Sequence, residues 1–187
     1  MRYFKKLLGD RIYLSPINVE DGEKFTEWMN DFKVTDGTGR SSEMMNVEKE
    51  KEWIETTLRK NKYIFSIVKL EDNQLIGNCS FLDIDFTNRT GTLGIMIGEE
   101  ENRGKGYGKE ALKLLLDYGF NYLNLNNIML EVRSFNEIAI NCYKQIGFKE
   151  IGRRRECRYV NGKYYDNISM DILAREFNEE YIRNKNI

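Results

Sequence analysis

Histidine is missing from all 187 residues, and no other gap in the composition removes as much chemistry. Without it there is no Ser-His-Asp or Cys-His relay and no metal site of the usual imidazole type. A general base must come from Asp, Glu, Lys, Tyr, Cys or water. Cysteine is scarce: Cys79, Cys142 and Cys157 are odd in number, far apart and without C-x-x-C spacing. They suggest neither a disulfide framework nor a zinc site, so no metal is expected. Excess charge is lacking too, with 29 Lys and Arg against 30 Asp and Glu. Bulk electrostatics therefore does not draw the chain to nucleic acid or to a membrane surface. No stretch approaches the roughly 20 apolar residues of a membrane span. The opening "MRYFKKLLGDRIYL" lacks the apolar core of a signal peptide. The expected location is the cytoplasm.

What is present reads as one globular domain over residues 1–187, with 41% hydrophobic and 32% charged residues. No linker, repeat or low-complexity tract divides it. Arg11 to Ile17 reads as a strand, with the only proline, Pro16, near its end. From Glu20 the pattern turns helical, with Phe25, Trp28 and Met29 on one face. Thr35 to Ser42, "TDGTGRSS", reads as a loop, and Asn46 as the cap of a second helix. Three strands follow, Tyr63–Leu70, Leu75–Asp85 and Gly91–Gly98, joined by short polar turns that make neighbours antiparallel. Leu112, Leu115, Leu116, Gly119, Phe120 and Leu123 then form one apolar helical stripe. A buried-looking strand, Asn127–Val132, precedes a helix over Asn136–Ile146 that Gly147 closes. Asn161-Gly162 joins two final strands as a hairpin. The order predicts an α/β fold with a mixed sheet and a parallel crossover between Gly91 and Val132.

The stretch "NRGKGYGKEALKLLLDYGF", Asn102 to Phe120, sets glycines before a helix, the usual way to hold a phosphate. A P-loop is excluded: Glu110 stands where Ser or Thr would hold magnesium, and Arg103 stands at the first glycine. Gly106-Tyr107-Gly108-Lys109-Glu110-Ala111 does fit the dinucleotide fingerprint G-x-G-x-x-[GA], and Glu131 lies at the ribose-binding distance. That reading implies a nicotinamide-dependent oxidoreductase. It conflicts with the antiparallel strands before the motif and with the lack of repeated β-α-β units.

A third reading uses more of the chain. Arg103-x-x-Gly106-x-Gly108, entering a helix after a strand, resembles the pyrophosphate loop of the GNAT acetyltransferase superfamily. Asn136-x-x-Ala139-x-x-x-Tyr143-x-x-x-Gly147-Phe148 resembles that superfamily's C-terminal signature, in the proper order and at the proper distance. The tail from Gly147 to Leu173 is similar to the RimJ/RimL-type and spermidine-acetyltransferase-like branch. The resemblance implies a mostly antiparallel sheet with helices on both faces. It also implies transfer of acetyl from acetyl-CoA to a primary amine by direct attack in a ternary complex. The acceptor could be a polyamine, a protein N-terminus, an amino sugar or an antibiotic, and a homodimer is admitted. A CoA-binding module without turnover remains the second reading, since fold does not dictate activity.

By the same resemblance, Met96, Ile97 and Gly98 would present a strand edge to the pantetheine arm. Arg103, Gly104, Lys105, Gly106, Tyr107, Gly108 and Lys109 would hold the pyrophosphate, and Asn136 and Ala139 would contact the cofactor. The Ile97 backbone N–H would stabilise the thioester oxygen, and Tyr143 would serve as acid to the departing thiolate. Asp83, Asp85 and Glu99 are the carboxylates beside the expected cleft, none of them singled out as base. The resemblance also implies an acceptor wall from the Glu27–Arg40 region and Tyr159–Tyr165, where Glu27, Asp31 and Asp36 could attract a cationic amine or simply face solvent.

Overall fold

The structure, a computed structural model, describes residues 2–60, 63–177 and 180–183. One sheet of eight strands runs through them. In chain order these are β1 (Leu7–Leu8), β2 (Ile12–Pro16), β3 (Ile64–Lys69), β4 (Leu75–Asp85), β5 (Thr90–Ile97), β6 (Asn127–Arg133), β7 (Lys149–Val160) and β8 (Lys163–Leu173). Their order across the sheet is β1-β2-β3-β4-β5-β6-β8-β7. Every pairing is antiparallel except β5 with β6. The polar turns before β4 and before β5 do make hairpins, and the glycine stretch begins the crossover that makes the parallel pair.

Helices cover both faces, because alternate side chains of the central strands are apolar on both sides. Ile12 and Leu14 of β2, Phe65 and Ile67 of β3 and Ile128 and Leu130 of β6 pack beneath α4 (Tyr107–Asn121) and α5 (Glu137–Ile146). Tyr13 and Val68 face the other way, toward α1 (Gly22–Met29) and α3 (Val47–Lys60) with Phe25, Trp28 and Ile54. The leucine stripe of α4 is its sheet-facing side: Leu112, Leu115 and Leu116 are essentially inaccessible.

Two local features went beyond the sequence pattern. Residues 35–38 are not loop but the last turn of a short helix, α2 (Phe32–Thr38). The Asp31 carboxylate accepts from the Lys33 N–H at its start, and Gly39 closes it with a left-handed φ of 78°. A seven-residue helix has little stability of its own, so its existence depends on what holds it from outside. The segment 181–183 is also built in. Asp117 of α4 is fully buried, and its Oδ2 accepts from the Tyr181 and Ile182 N–H groups at 2.6 and 3.0 Å. Arg183 then donates from its backbone to Leu8 O at 2.7 Å and pairs with Asp10 at 2.9 Å.

Candidate active site

The site begins where the parallel pair comes apart. β5 and β6 are in register only from Thr90–Thr92 to Asn127–Met129. Beyond that, β5 continues along β4 to Ile97, and β6 continues along β8 to Arg133. The two strands therefore open into a wedge. A bulge in β4 between Phe81 and Asp83, with Leu82 outside the register, bends the β4–β5 side of it. The Gly98 N–H donates to Ile76 O of β4 at 3.0 Å. Strand alternation then turns the backbone groups of Ile97, one residue earlier, into the wedge. Met96 and Ile97 send their side chains to opposite cores. Gly98 is needed for packing: a Cβ there would lie 1.9 Å from Cε2 of Trp28, which covers this end of β5.

The glycine loop lies at the mouth of the wedge. Gly104 and Gly106 take left-handed φ values of 69° and 87°, a conformation that costs glycine little. Gly106 is the N-cap of α4 and supplies no side-chain cap. The first-turn N–H groups of a 15-residue helix are thus left for an external acceptor. Gly108 lies beside β5, where a Cβ would make ordinary contact with Ile97 Cγ1 at 3.6 Å. Gly104, Lys105 and Gly106 are exposed. Left-handed glycines, unclaimed amides and a helix's positive end form a cradle that fits a diphosphate.

Other side chains in this region hold the loop in shape. Arg103 commits its guanidinium to backbone: Nε to Ile97 O at 3.2 Å, Nη2 to Gly98 O at 2.6 Å and Nη1 to Lys33 O at 3.0 Å. Lys109 donates to Gln145 of α5 at 3.1 Å, so it links two helices. Sequence reasoning passed over Arg11, whose Nη1 donates to Lys105 O at 3.0 Å while its guanidinium lies 4.9 Å over the Tyr107 ring. Glu110, at the P-loop's Ser/Thr position, accepts at Oε1 from the Asp10 and Arg11 N–H groups, each at 2.8 Å, and pairs with Arg11 through Oε2. A Glu in the first turn of a helix was the only available signal, and it was silent about the distant β1–β2 turn.

The opposite bank belongs to α5 and the end of β6. Asn136 is the N-cap of α5, its Oδ1 accepting from the Ala139 N–H at 3.2 Å. Its Nδ2 reaches α2, 3.3 Å from where a Cβ on Gly37 would be. Ala139 packs at the edge of the core, and Tyr143 is buried within it, edge-on to Phe148. The Tyr143 hydroxyl has no hydrogen-bond partner among the described residues, and burial pushes its pKa up to about 12. Arg133, also unforeseen, is 8% exposed. Its Nη1 donates to Asn167 Oδ1 at 3.1 Å and its Nη2 to Thr38 O at 3.0 Å. Burial and the nearby Arg158 charge lower its pKa.

The carboxylates considered for general base fall into structural roles, except one. Asp85 accepts from the Thr87 and Asn88 N–H groups and caps a turn. Glu99 is paired with Lys24 at 2.5 Å, and that partner holds its pKa down despite partial burial, which acts the other way. Asp83 is exposed on β4 opposite Thr92, the last β5 residue with a β6 partner. On the acceptor side, Glu27 pairs with Lys24, Asp31 caps α2, and Asp36 accepts from Ser41 at 2.5 Å. No cluster of three or more His, Cys, Asp or Glu suited to a metal exists among the described residues. No helix among them is long and apolar enough to cross a membrane.

A wedge between parallel strands, with left-handed glycines and the uncapped end of α4 at its mouth, has the form of a cleft for an extended ligand that carries an anionic group. Residues 14–169 match the family "Acetyltransferase (GNAT) domain", and the chain belongs to that family. It is an N-acetyltransferase whose acetyl donor is acetyl-CoA. Over 175 residues it is 29% identical to an uncharacterized N-acetyltransferase, p20, of Bacillus licheniformis, covering 91% of this chain and 97% of that one. It is 33% identical over 111 residues to a spermidine N(1)-acetyltransferase of Vibrio cholerae, covering 59% of this chain and 64% of the relative. In three dimensions it is similar to the crystal structure of spermidine N-acetyltransferase from Vibrio cholerae in complex with CoA and spermine. That match has a TM-score of 0.82 at 25% identity and covers 89% of this chain and 98% of the other.

Proposed function

We propose that the chain acts as one domain, in the cytoplasm, and acetylates a primary amine on a small molecule, with a polyamine as first choice of acceptor. The observation behind the chemistry is the wedge: strand edges that have lost their ladder at Thr92, beside the uncapped N-terminus of α4. Gly104, Gly106 and Gly108 with the first-turn amides of α4 would hold the diphosphate, and Lys105 and Tyr107 would flank it. Of the strand edge, the Ile97 N–H is the backbone group that would meet the arm, because the Gly98 N–H donates to Ile76 O, Arg103 takes Ile97 O and Gly98 O, and Met96 is paired along β4. Asn136 and Ala139 would close the opposite side. Bound acetyl-CoA supplies an activated acetyl thioester. The Ile97 N–H stabilises the carbonyl oxygen as it gains charge, at no reorganisation cost because the strand already holds it.

Tyr143 supports departure of the sulfur. Its hydroxyl stays protonated at neutral pH, since burial raises its pKa to about 12. Full proton transfer to a thiolate of pKa about 8.5 would be uphill by about 5 kcal/mol. Tyr143 therefore stabilises the leaving sulfur by donating a hydrogen bond, and water completes the protonation.

The polyamine choice leans on the spermidine acetyltransferase relatives. The chain's own acidic residues give it little support, because Glu27, Asp31 and Asp36 already have partners. The second reading is a peptide N-terminus, to which the arginines of the far bank add little, since Arg133 is bound to Asn167 and Thr38 and Arg158 is paired with Glu131. A thiol-release assay with acetyl-CoA separates these, using spermidine, spermine, peptide N-termini and amino sugars as acceptors. Turnover with polyamines alone supports the first reading, and turnover with peptides alone the second. Thermal stabilisation by CoA without turnover on any amine would mean a binding module instead. A homodimer is part of the proposal and is tested by light scattering.

A further inference from the structure

The glycine motif begins with an arginine, and an arginine beside a diphosphate cradle invites the reading of a phosphate ligand. Its hydrogen bonds point elsewhere. A guanidinium grips an oxyanion best with two parallel N–H groups on one edge. In Arg103 the Nε–Nη2 edge is filled by the carbonyls of Ile97 and Gly98, and Nη1 donates to Lys33 O. Its backbone N–H is also taken, by Glu100 O at 3.0 Å. A residue with these four commitments is part of the scaffold.

What it supports is α2. The N-terminal end of this helix is held to the loop side by Arg103 on Lys33 O and by the Lys33–Glu100 ion pair at 2.7 Å. Its C-terminal end is held to the β6 side by Arg133 on Thr38 O. The seven residues span roughly 10 Å, enough to bridge two strands that have parted. Each bank of the wedge contributes one buried or half-buried arginine, and each arginine takes a carbonyl of the same helix. Those carbonyls near the helix ends include groups that have no partner within the helix.

We infer that Arg103 is a positioning residue that couples the cofactor loop to the acceptor wall formed by α2, and that it is not a ligand of the CoA phosphates. The inference rests on the acetyltransferase reading of the cleft. Through Arg103 the loop conformation that receives the cofactor also sets where α2 stands. Cofactor binding and acceptor binding are then linked, and removing Arg103 uncouples them.

The test compares Arg103→Gln and Arg103→Lys with the parent protein, using CoA affinity by calorimetry at two salt concentrations and backbone hydrogen exchange across α2. Neither measurement needs turnover, so the outcome stands apart from the identity of the acceptor. With a positioning role, CoA affinity stays within about threefold and its salt dependence is unchanged, because no phosphate partner is lost. Exchange of α2 amides rises about tenfold or more in Arg103→Gln, and bound CoA no longer slows it. Arg103→Lys, which keeps the charge but loses the fork, behaves like Arg103→Gln. Where an acceptor is in hand, its KM rises while the KM for acetyl-CoA holds. The inference is overturned if CoA affinity falls tenfold with a flatter salt dependence, if lysine restores the parent, or if α2 exchange is unchanged. If Arg103→Gln fails to fold, Arg103→Lys decides on the same criteria.

Discussion

The two banks of the wedge are built on different principles. The β5 bank, from Gly94 through the first turn of α4, works with backbone: strand amides, left-handed glycines and helix N–H groups. Side chains there mainly keep that backbone in place, as Trp28 does on Gly98 and Arg11 does on Lys105. The β6 bank works with side chains, Tyr143, Asn136 and Arg133, each in a polar or buried setting of its own. A backbone site tolerates change in side-chain identity but not in side-chain bulk. A side-chain site shows the reverse.

Substitutions can break that contrast, beginning with the largest expected effect. Gly98→Val forces a branched side chain onto the Trp28 ring and should cost about 3 kcal/mol or more of stability, read as a lowered thermal midpoint. A stable variant would show that α1 yields easily. Tyr143→Phe adds no bulk and should keep the fold, yet lower kcat about a hundredfold with acetyl-CoA affinity nearly intact. Equal turnover would remove Tyr143 from the chemistry. Arg133→Met strips α2 of its far anchor and should cost about 2 kcal/mol, with acceptor KM more affected than acetyl-CoA KM. Gly104→Ala is the mildest: the space is open, and only the left-handed φ is penalised, by about 1 kcal/mol in a denaturation curve.

The same contrast predicts a pH profile. The β5 bank contributes backbone groups that do not titrate. On the β6 bank the Tyr143 hydroxyl has its pKa raised from 10 to about 12, so it keeps its proton up to strongly alkaline pH. Activity should rise as the acceptor amine loses its proton and should not fall again below about pH 10. Tyr143→Phe should lower the curve without moving its rising limb. A fall near neutral pH that this variant abolishes would contradict the assignment.

How much could be read in advance follows the same division. The crossover, the apolar stripe of α4 and the Asn161-Gly162 hairpin were legible because each is coded by neighbours in the chain. The cradle was legible for the same reason, since Gly104 and Gly106 need only their own conformations. The last turn of α2 falls within Thr35–Ser42, where "TDGTGRSS" predicts a loop by its poor helix propensity, and its anchors Arg103 and Arg133 lie far away in the chain. Glu110 and Arg11 were hidden similarly, as their partnership joins the β1–β2 turn to α4. The pairing of Glu99 was hidden too, because Lys24 is distant in sequence. Local rules show where the backbone turns, but not which side chain a distant segment will meet.

The buried Asp117 carries a consequence for the gene as much as for the fold. Its carboxylate accepts from the Tyr181 and Ile182 amides, so residues 181–182 act as a latch over the middle of α4. A stop codon just after Phe177 would spare every residue of the cleft. It would also strip two donors from the Asp117 carboxylate and uncover that side of α4, where Asn121 still donates to it, a loss of the kind that destabilises marginal domains. The truncated chain should show a lowered thermal midpoint with the cleft residues all present.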